Sequence, residues 1–493
     1  MFQHPDARSA YPRLALHLGG HWLHQASGGA RPVHNPADGT VLGELPLAGP
    51  AELAAAAESA ARGHAQWRRR MPHDRYVVLR RAAELMRERA KPMAEVLTLE
   101  QGKPLAEALR ELTLSADILD FQAEEGKRLY GRTVAPRVAG IVSQTVLRQP
   151  VGPVAAFTPW NFPVNLPIRK LASALAAGCS VVIKPDEHTP ASCQLIVMCL
   201  LDAGLPAEVV NMVCGDPPEV SSTLIAHPAI AKVSITGSVA VGRLLAEQAA
   251  RRMKRYTGEL GGHAPVIVCE DMARDGAALA GVLKAALAAK YRNAGQVCAS
   301  PIRFYLPRAQ AAEFGCGLAL GARQLRLGPG LDPATQMGPL AHPGRLVDME
   351  RFVDDAFDHG ARLLTGGQRV AGPGYFFQPT VFADAPPDSL LMREEPFGPI
   401  AVVQPYDTLD EAIAAANALP MGLAAYAWTR DLMTAQRLGE ELAAGMVGIN
   451  SYGVSQPELP FGGWKDSGQG QEMGAEGLLP YTELKTVTIG TPT

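Results

Sequence analysis

The sequence predicts an α/β protein with a doubly wound parallel sheet, a second α/β domain and a strand-forming arm. Three observations support this class: from about residue 150, short apolar runs alternate with helical stretches, a second such series follows residue 298, and two strand-like segments fit neither series. Alternation of strands and helices is typical of right-handed crossovers in parallel sheets. The 493 residues, 47% of them hydrophobic, are enough for about two to four domains.

The elements of the first series can be followed in order. Residues 51–125 carry apolar positions at helical spacing, as in "AELAAAAESAARGHAQW". The strand-like run "VGPVAAF" (151–157) precedes a helix predicted to start near Pro163, and "SVVIK" (180–184) precedes one starting near Thr189. The series continues with the runs "VVNMV" (209–213), "KVSIT" (232–236) and "APVIV" (264–268).

The second series and the arm complete the prediction. The second series consists of "IRFYLP", a helix at 308–320, "AVVQPY", "LAAYAWT" and "GMVGIN". The segments 133–150 and 484–493 look strand-like and follow Gly- or Tyr-bearing turns. An arm that pairs with a partner subunit explains both segments, and edge strands of the main sheet are nearly as good an explanation.

Charge and cysteine usage exclude several classes of protein. The net charge is −3, with no long run of one sign, so a basic footprint for nucleic acid is absent. We expect no signal peptide in "MFQHPDARSAYPRLALHLGG" and no membrane span. The seven cysteines form no CxxC pair and no Cys/His cluster with zinc spacing, so we expect reduced thiols, no metal and a cytoplasmic location.

Two stretches suggest a nucleotide site. In "ITGSVAVG" (235–242), a strand runs into Gly237, Ser238 and Gly242 before a helix, and such turns let backbone approach a pyrophosphate at a helix N-terminus. Many such turns merely cap a helix. In "IKPDEHTP" (183–190), Lys184 and Glu187 can grip an adenosine ribose. An ordinary surface Lys/Glu pair explains that stretch equally well.

Three further stretches supply reactive groups. "FTPWNFP" (157–163) presents Asn161 after a strand, where its amide can donate to an oxyanion. "TGELGGHAP" (257–265) presents Glu259, a candidate general base, and "NAGQVCAS" (293–300) presents the Cys298 thiol. Separately they are explained by a capped loop, a solvated acid and a buried cysteine. Together with a nucleotide crevice they are what oxidation of a carbonyl through a thiol adduct requires.

The order and spacing of seven blocks resemble the aldehyde dehydrogenase superfamily over essentially the whole chain. The blocks are "FTPWNFP", "KPDEHTP", "ITGSVAVG", "ELGG", "GQVC", "EEPFGPI" and "PFGGWKDSGQGQEMG". Within that superfamily, "LTLEQGKPLAEA" (97–108) and "AEEGKRLYG" (123–131) look most like the succinate-semialdehyde dehydrogenase group.

The resemblance implies a role for each matching position. Cys298 would attack an aldehyde, Asn161 and the Cys298 backbone N–H would hold the oxyanion, and Glu259 would activate the hydrolytic water. Lys170 and Glu472 match positions that support the site and relay protons. The positions that match cofactor contacts are Thr158, Trp160, Lys184, Glu187, Gly237, Ser238, Gly242, Glu395 and Phe397.

The resemblance also implies a substrate class. Arg169, Arg292 and Ser455 match positions that bind the substrate carboxylate in the succinate-semialdehyde group, and arginine suits this task because its planar fork grips a carboxylate through paired bonds. Glutarate or 2-oxoglutarate semialdehyde would satisfy the same arginines. A general non-acylating aldehyde dehydrogenase, a CoA-acylating enzyme and a non-catalytic structural relative would also account for the fold.

The resemblance further implies domains, cofactor and partners. It assigns residues 1–132 and 151–260 to an NAD(P)-binding domain, 261–450 to a catalytic domain, and 133–150 and 480–493 to an oligomerisation arm, as in the aldehyde dehydrogenase fold. We favour NAD over NADP, since Glu187 should repel a 2′-phosphate, and the use of both cofactors stays open. We expect a homodimer or homotetramer. The chain departs from close relatives at His263, Ser300 and Gln471, and it lacks a glycine in "GDPPEVSS" (215–222).

Overall fold

The structure, a computed structural model, describes residues 11–492. The first half of the segment in which no signal peptide is expected, and the last residue of the predicted arm, lie outside the described residues. Within residues 11–492, no helix is both long enough and apolar enough to cross a membrane.

The described chain begins with four short strands and four helices and then alternates strands and helices. The strands are β1 (Leu16–Leu18), β2 (His21–Leu23), β3 (Ala30–His34), β4 (Val41–Pro46), β5 (Arg132–Val134), β6 (Ile141–Pro150), β7 (Val154–Phe157), β8 (Val181–Lys184), β9 (Val210–Met212), β10 (Lys232–Gly237), β11 (Arg255–Leu260), β12 (Ala264–Val268), β13 (Pro301–Pro307), β14 (Arg362–Thr365), β15 (Thr380–Ala383), β16 (Ile400–Tyr406), β17 (Met421–Gly422), β18 (Ala424–Trp428), β19 (Met446–Ile449), β20 (Trp464–Lys465), β21 (Gly468–Gln469) and β22 (Thr482–Gly490). The α-helices are α1 (Pro50–Trp67), α2 (Pro72–Glu88), α3 (Ala90–Gln101), α4 (Leu105–Gly126), α5 (Asn165–Ala177), α6 (Pro190–Asp202), α7 (Pro217–Ala226), α8 (Val239–Ala250), α9 (Glu270–Ala273), α10 (Gly276–Tyr291), α11 (Arg308–Arg323), α12 (Pro343–Asp358), α13 (Leu390–Arg393), α14 (Leu409–Asn417) and α15 (Leu432–Glu441).

The first sheet is doubly wound. Its order is β2-β1-β9-β8-β7-β10-β11-β21, and the five strands from β9 to β11 are parallel. Strands β7 and β8 are buried throughout, which is why they read as unbroken apolar runs. The chain starts in the middle at β7, winds outward to β9 and returns to β10, so a crevice opens at the carboxyl ends of β7 and β10.

The second sheet has the order β14-β15-β16-β13-β12-β18-β19 and is parallel except for β14. The chain passes from β11 to β12 through only three residues, 261–263. The carboxyl ends of the first sheet therefore face the amino ends of the second. Both series of strands and the α/β class are confirmed, with helix starts shifted from Pro163 to Asn165 and from Thr189 to Pro190.

The two strand-like segments form a sheet of their own, with the order β22-β6-β5. The explanation that they are edge strands of the main sheet is therefore wrong. Residues 135–140 interrupt the predicted strand between β5 and β6. Apolar side chains stay exposed on this sheet at Val142, Leu147, Leu484 and Ile489.

The N-terminal helices support the first sheet through close contacts. Helix α1 approaches the turn before β9 so closely that a Cβ at Gly63 would lie 2.2 Å from the carbonyl oxygen of Glu208. By contrast, a Cβ at Gly281, on the exposed side of α10, would meet nothing within 4 Å.

We predict that Gly63→Ala destabilises the protein by about 1–3 kcal/mol, because the added methyl group must push α1 away from the sheet. Gly281→Ala is the matched control and should stabilise the protein by about 0.5–1 kcal/mol, because alanine loses less backbone entropy in a helix. Thermal unfolding followed by calorimetry measures both changes. Equal midpoints for the two variants would contradict the packing described.

Candidate active site

The predicted thiol and carboxylate lie together between the two sheets. Glu259 is the penultimate residue of β11 and is 1% exposed, and both of its carboxylate oxygens lack a hydrogen-bond partner in the described chain. Cys298 is half-buried in the loop that leads into β13. We call residues 292–300 the Cys298 loop.

Burial and mutual proximity shift the pKa values of both groups. Burial raises the pKa of Glu259 to about 7, Glu472 adds to the rise, and Arg169 and Lys170 oppose it. Burial raises the pKa of the Cys298 thiol well above its ordinary value, and the Glu259 charge raises it further. The thiol is therefore protonated at neutral pH in this arrangement, and Glu259 is the adjacent group that can take its proton.

Glycines let the loops at this junction approach each other. A Cβ at Gly262 would lie 3.0 Å from the Cys298 carbonyl oxygen, and one at Gly261 would lie 2.3 Å from a Glu395 carboxylate oxygen. Gly295 has φ +72°, and a Cβ there would lie 2.1 Å from the carbonyl oxygen of Gly398. The "ELGG" and "NAGQ" glycines are therefore packing requirements of the site.

Asn161 lies beside the Cys298 loop. It is 2% exposed, its Nδ2 donates to the Gln296 carbonyl at 3.1 Å, and its Oδ1 has no hydrogen-bond partner in the described chain. Because Nδ2 carries two N–H groups, one remains free for a further acceptor. We call residues 158–164 the Asn161 loop.

Lys170 and Glu472 form a buried ion pair behind Glu259. The Lys170 Nζ donates to Glu472 Oε1 and to the Thr236 hydroxyl, the latter at 2.8 Å. Glu472 Oε2 has no hydrogen-bond partner and lies 4.0 Å from a guanidinium nitrogen of Arg169. These two residues, which lie 302 positions apart, are brought together as predicted partners of the site.

Arg169 is buried in the same interior. Its Nε donates to Asn165 Oδ1 at 2.8 Å, its Nη2 donates to the Ser455 hydroxyl at 3.1 Å, and its guanidinium lies 4.1 Å from the centre of the Phe461 ring. Its Nη1 makes no hydrogen bond in the described chain, although it lies 4.0 Å from Glu472 Oε2. A buried cationic donor without a hydrogen-bonded acceptor is costly, so this nitrogen can donate to an anion that enters the site.

Arg292 lies where helix α10 ends and the chain turns toward Cys298. Helix α10 ends at Tyr291, and Asn293 and Ala294 have φ of 50° and 53°, so the chain turns out of the helix at Arg292. Arg292 is exposed, with its guanidinium 5.7 Å from the centre of the Phe162 ring. Arg292 therefore lies at the solvent-exposed rim of the candidate site, whereas Arg169 is buried and Ser455 is half-buried.

The predicted ribose contacts lie at the crevice of the first sheet. Lys184 Nζ is 2.6 Å from Glu187 Oε1, both side chains are buried, and Glu187 also accepts the Gly215 N–H at 3.4 Å. Thr158, which follows β7, has a buried hydroxyl without a hydrogen-bond partner in the described chain. The buried Lys184–Glu187 pair and the Thr158 hydroxyl can exchange hydrogen bonds with a ligand rich in hydroxyl groups.

The "ITGSVAVG" turn caps helix α8 at Ser238 and lets the same helix pack closely at Gly242. Ser238 is the exposed N-cap of α8, and its hydroxyl accepts the Val241 N–H at 3.3 Å. Gly237 is half-exposed beside it. Gly242 differs from the expectation of a pyrophosphate contact, because it is buried and a Cβ there would lie 2.3 Å from Leu260 Cδ2. Its small size lets α8 pack on β11.

Trp160, Phe397 and Glu395 form the wall between the two sheets. The Trp160 and Phe397 rings meet edge to face with centres 5.5 Å apart, and Phe397 has φ 46°. Burial raises the pKa of Glu395 to about 8, and its Oε1 has no hydrogen-bond partner in the described chain. An aromatic wall next to an unpaired carboxyl fits a ring joined to a ribose.

A cluster of aromatic and basic side chains beside this wall was not predicted from the sequence. His342 packs edge to face on Trp160 at 5.4 Å and stacks on His188 at 4.6 Å, and Arg31 donates to His188 Nε2 at 3.1 Å. Burial, together with the charges of His188 and Arg345, lowers the pKa of His342 to about 4. The only sequence signal was His188 in "KPDEHTP", next to a predicted ribose contact.

A half-buried thiol beside a buried carboxyl, next to a doubly wound sheet with a crevice at its carboxyl ends, is the arrangement expected of a dinucleotide-dependent enzyme. The sequence profile of the aldehyde dehydrogenase family matches residues 22–487. The chain belongs to the aldehyde dehydrogenase family, and it is an oxidoreductase that acts on aldehydes with NAD or NADP. The predicted membership is confirmed.

Similar proteins differ in their named substrates. The chain is 45% identical over 471 residues to the 4-(hydroxymethyl)benzenesulfonate dehydrogenase TsaD1 of Comamonas testosteroni, covering 95% of this chain and 97% of that protein. It is 41% identical to the NADP(+) succinate-semialdehyde dehydrogenase GabD of Escherichia coli strain K12, covering 96% and 97%. The solved succinate-semialdehyde dehydrogenase of Burkholderia pseudomallei superimposes with a TM-score of 0.94 at 39% identity, covering 99% and 100%.

We predict that Glu259→Gln stabilises the protein at pH 8 but not at pH 4.5. The folded pKa near 7 lies above the ordinary value of 4.5, so the stability contributed by the protonated carboxyl is present below 4.5 and is lost as the pH rises to 7. The shift corresponds to about 3 kcal/mol. Thermal unfolding at both pH values measures it. The exposed Glu313→Gln is the control, and a gain for Glu259→Gln that is equal at both pH values would contradict the assignment.

Proposed function

We propose that the protein oxidises a small aldehyde with an anionic end, succinate semialdehyde to succinate, with NAD or NADP. The observation that carries this proposal is Arg169, whose buried Nη1 makes no hydrogen bond in the described chain and whose charge opposes the rise in the pKa of both Cys298 and Glu259. An arginine whose charge acts on the thiol, and whose Nη1 has only the Glu472 carboxylate at 4.0 Å beside it, suits a carboxylate that arrives with the aldehyde.

The first half of the proposed reaction uses the thiol. Glu259 takes the proton of Cys298, the sulfur forms a bond to the aldehyde carbon, and the carbonyl oxygen becomes an oxyanion. The free N–H of Asn161 Nδ2 and the Cys298 backbone N–H donate to that oxyanion. When bound, the nicotinamide accepts the hydride that leaves the same carbon. The product of this half is a thioester on Cys298.

The second half uses Glu259 as a base toward water. Glu259 first loses the proton that it took from Cys298, and the Lys170–Glu472 pair, whose charges act on Glu259, can pass that proton toward solvent. The Glu259 carboxylate then accepts a proton from water, and the hydroxide equivalent adds to the thioester carbon. The carbon–sulfur bond breaks to release the acid and the Cys298 thiolate, which takes the proton back from Glu259. This water-activating carboxyl favours hydrolysis over acyl transfer to CoA. A non-catalytic relative would have no use for an unpaired buried carboxyl.

Residues along the junction between the two sheets would hold the cofactor in this proposal. Lys184, Glu187 and Thr158 would hold the adenosine ribose. The turn at Gly237 and Ser238 would offer the N-terminus of α8 to the pyrophosphate. Glu395 would accept from the nicotinamide ribose, and Trp160 and Phe397 would border the ring. Gly242 acts in this scheme through packing, as its contact with Leu260 indicates.

More than one chain length and more than one anion fit the proposed pocket. Arg169 and Ser455 form the inner part of the anion pocket and Arg292 its rim. Glutarate and 2-oxoglutarate semialdehyde carry the same carboxylate. A sulfonate also offers oxygens to arginine, and the similarity to a benzenesulfonate dehydrogenase makes it a second candidate anion.

We also propose that the sheet β22-β6-β5 joins copies of the chain into a homodimer or homotetramer, since it exposes apolar side chains at Val142, Leu147, Leu484 and Ile489. The division into a cofactor domain, a catalytic domain and this arm stays a prediction. We propose that the cofactor domain also includes β21, because this strand pairs with β11 at the edge of the first sheet.

We predict that Arg169→Met lowers kcat/KM for succinate semialdehyde by about 10²–10³, because an anion in the pocket loses a buried charge-assisted partner. Butanal has the same carbon chain without the carboxylate, so the ratio between the two substrates isolates the anion contact. The ratio should fall toward one, measured as initial rates of NADH formation. Ser455→Ala should change it in the same direction by about tenfold or less.

The controls separate the enzyme class from the substrate class. The exposed Arg323→Met should leave both rates unchanged. If the wild-type enzyme oxidises succinate semialdehyde and butanal equally, the arginine is structural and the anion pocket is refuted. Glutarate semialdehyde, 3-sulfopropanal and 4-formylbenzenesulfonate, measured on the same variants, identify the chain length and the anion.

We predict that Glu187→Gln raises kcat/KM for NADP relative to NAD by about tenfold, equivalent to roughly 1.4 kcal/mol, because one negative charge is removed next to the ribose 2′ position. Steady-state kinetics with both cofactors measures the ratio. The exposed Glu313→Gln should leave it unchanged. A ratio that stays the same in Glu187→Gln would place the carboxylate away from the 2′ position.

A further inference from the structure

Four polar side chains from one N-terminal segment reach both loops of the site. The segment runs from Gln101 at the end of α3 to Glu111 in α4 and includes Lys103 and Glu107. None of the four has a role in the chemistry described above. Their hydrogen bonds nevertheless end on the Asn161 loop and the Cys298 loop.

Lys103 holds the backbone of the Asn161 loop. It is 1% exposed, and its Nζ donates to the Asn161 carbonyl oxygen at 2.8 Å and to Glu111 Oε2 at 2.5 Å. The same ammonium lies 4.0 Å from the centre of the Phe162 ring. A buried ammonium needs such partners, because its transfer from water is costly.

Glu111 extends this hold to the start of α5. Its Oε1 accepts the backbone N–H groups of Val164 at 2.9 Å and Asn165 at 3.0 Å, which are donors of the first turn of the helix. The Asn165 side chain in turn accepts from Arg169. One carboxylate thus fixes both the end of the Asn161 loop and the helix that carries Arg169.

Gln101 and Glu107 hold the Cys298 loop through Asn293. Gln101 Nε2 donates to Asn293 Oδ1 at 2.8 Å, and Glu107 Oε2 accepts the Asn293 N–H at 2.8 Å. Asn293 Nδ2 then donates to the Asn161 carbonyl at 2.9 Å. Asn293 has φ 50°, a left-handed conformation that such contacts help to maintain.

The Asn161 carbonyl oxygen is therefore a shared acceptor. It receives one N–H from Lys103 and one from Asn293, so the N-terminal segment and the Cys298 loop meet at this atom. The two donors assigned to the oxyanion, the Asn161 amide and the Cys298 N–H, belong to different segments of the chain. Their spacing is effective only within a few tenths of an ångström, and a misplacement of about 1 Å can cost ~10²-fold in rate.

We propose that Lys103, paired with Glu111, is a positioning residue that sets the Asn161 amide against the Cys298 loop and so completes the oxyanion site. This inference rests on the oxyanion role proposed for Asn161. Lys103 acts through the Asn161 carbonyl and touches neither the aldehyde nor the thiol. Its removal should therefore slow hydride transfer while leaving the thiol in place.

The test is single-turnover NADH formation by Lys103→Met, with enzyme in excess over aldehyde. We expect the rate constant to fall about 10- to 100-fold with little change in apparent affinity for the aldehyde. The number of thiols titrated by iodoacetamide, and their rate of alkylation, should match wild type. Lys91→Met, an exposed lysine on the same helix as Gln101, should react at the wild-type rate. A wild-type rate constant in Lys103→Met would overturn the proposal.

A double-mutant cycle with Asn161→Ala separates positioning from a general structural effect. If Lys103 acts through Asn161, adding Lys103→Met to Asn161→Ala should change the rate constant by less than about threefold, because the group to be positioned is already gone. An equal loss in both backgrounds would overturn the proposal. An Asn161→Ala enzyme as fast as wild type would instead refute the oxyanion role of Asn161, which is a distinguishable result.

A second variant covers a failure of Lys103→Met to fold. Removing one member of a buried ion pair leaves the other charge uncompensated, whereas Lys103→Met/Glu111→Gln removes both charges. The glutamine keeps an oxygen for the N–H groups of Val164 and Asn165. We expect this double variant to fold and to show the same slow single turnover. Wild-type turnover in the folded double variant would overturn the proposal.

Discussion

The candidate site depends on close packing where the carboxyl ends of the first sheet meet the amino ends of the second. Only three residues connect β11 to β12, so the two sheets lie close together at this point. Strand β11 with Glu259, the Cys298 loop and the chain around Glu395 must therefore pass within van der Waals contact of one another. Gly262 and Gly295 allow this, because a Cβ at either would meet a backbone oxygen. The same crowding excludes water from Glu259 and so raises its pKa to about 7.

Exclusion of water has a consequence for the surrounding charges. Buried charges are tolerated when they are paired and hydrogen-bonded, and the pairs Lys170–Glu472 and Lys103–Glu111 meet this condition. Among the charged atoms without a hydrogen-bond partner in the described chain are both oxygens of Glu259, Nη1 of Arg169 and Oε1 of Glu395, and the charges of these three residues all act on the Cys298 thiol. They are the atoms that the proposed function assigns to a reacting carbon, a substrate anion and a nicotinamide ribose.

Local patterns were sufficient to predict most of the central strands of both sheets, although β1–β4, β14 and β15 were not predicted. The family blocks were sufficient to name Cys298, Glu259 and Asn161, which the structure brings together. Three features escaped prediction for physical reasons. The burial of Gly242 against Leu260 depends on how α8 packs, and the exposure of Arg292 depends on two left-handed residues after it. Lys103 and its acceptor, the Asn161 carbonyl, are 58 residues apart in sequence, so no periodicity or spacing predicts their hydrogen bond.

The two arginines illustrate how a shared framework can serve different substrates. Asn165, Ser455 and the Phe461 ring fix Arg169, so in the proposed pocket its Nη1 presents one donor to any anion that enters. Arg292 is exposed, and in the same proposal it can follow a longer or bulkier end group. The proposed pocket would therefore use the inner arginine to select for charge and the outer one to select for length. Relatives whose names carry a carboxylate and a sulfonate are consistent with one fixed contact and one adjustable contact.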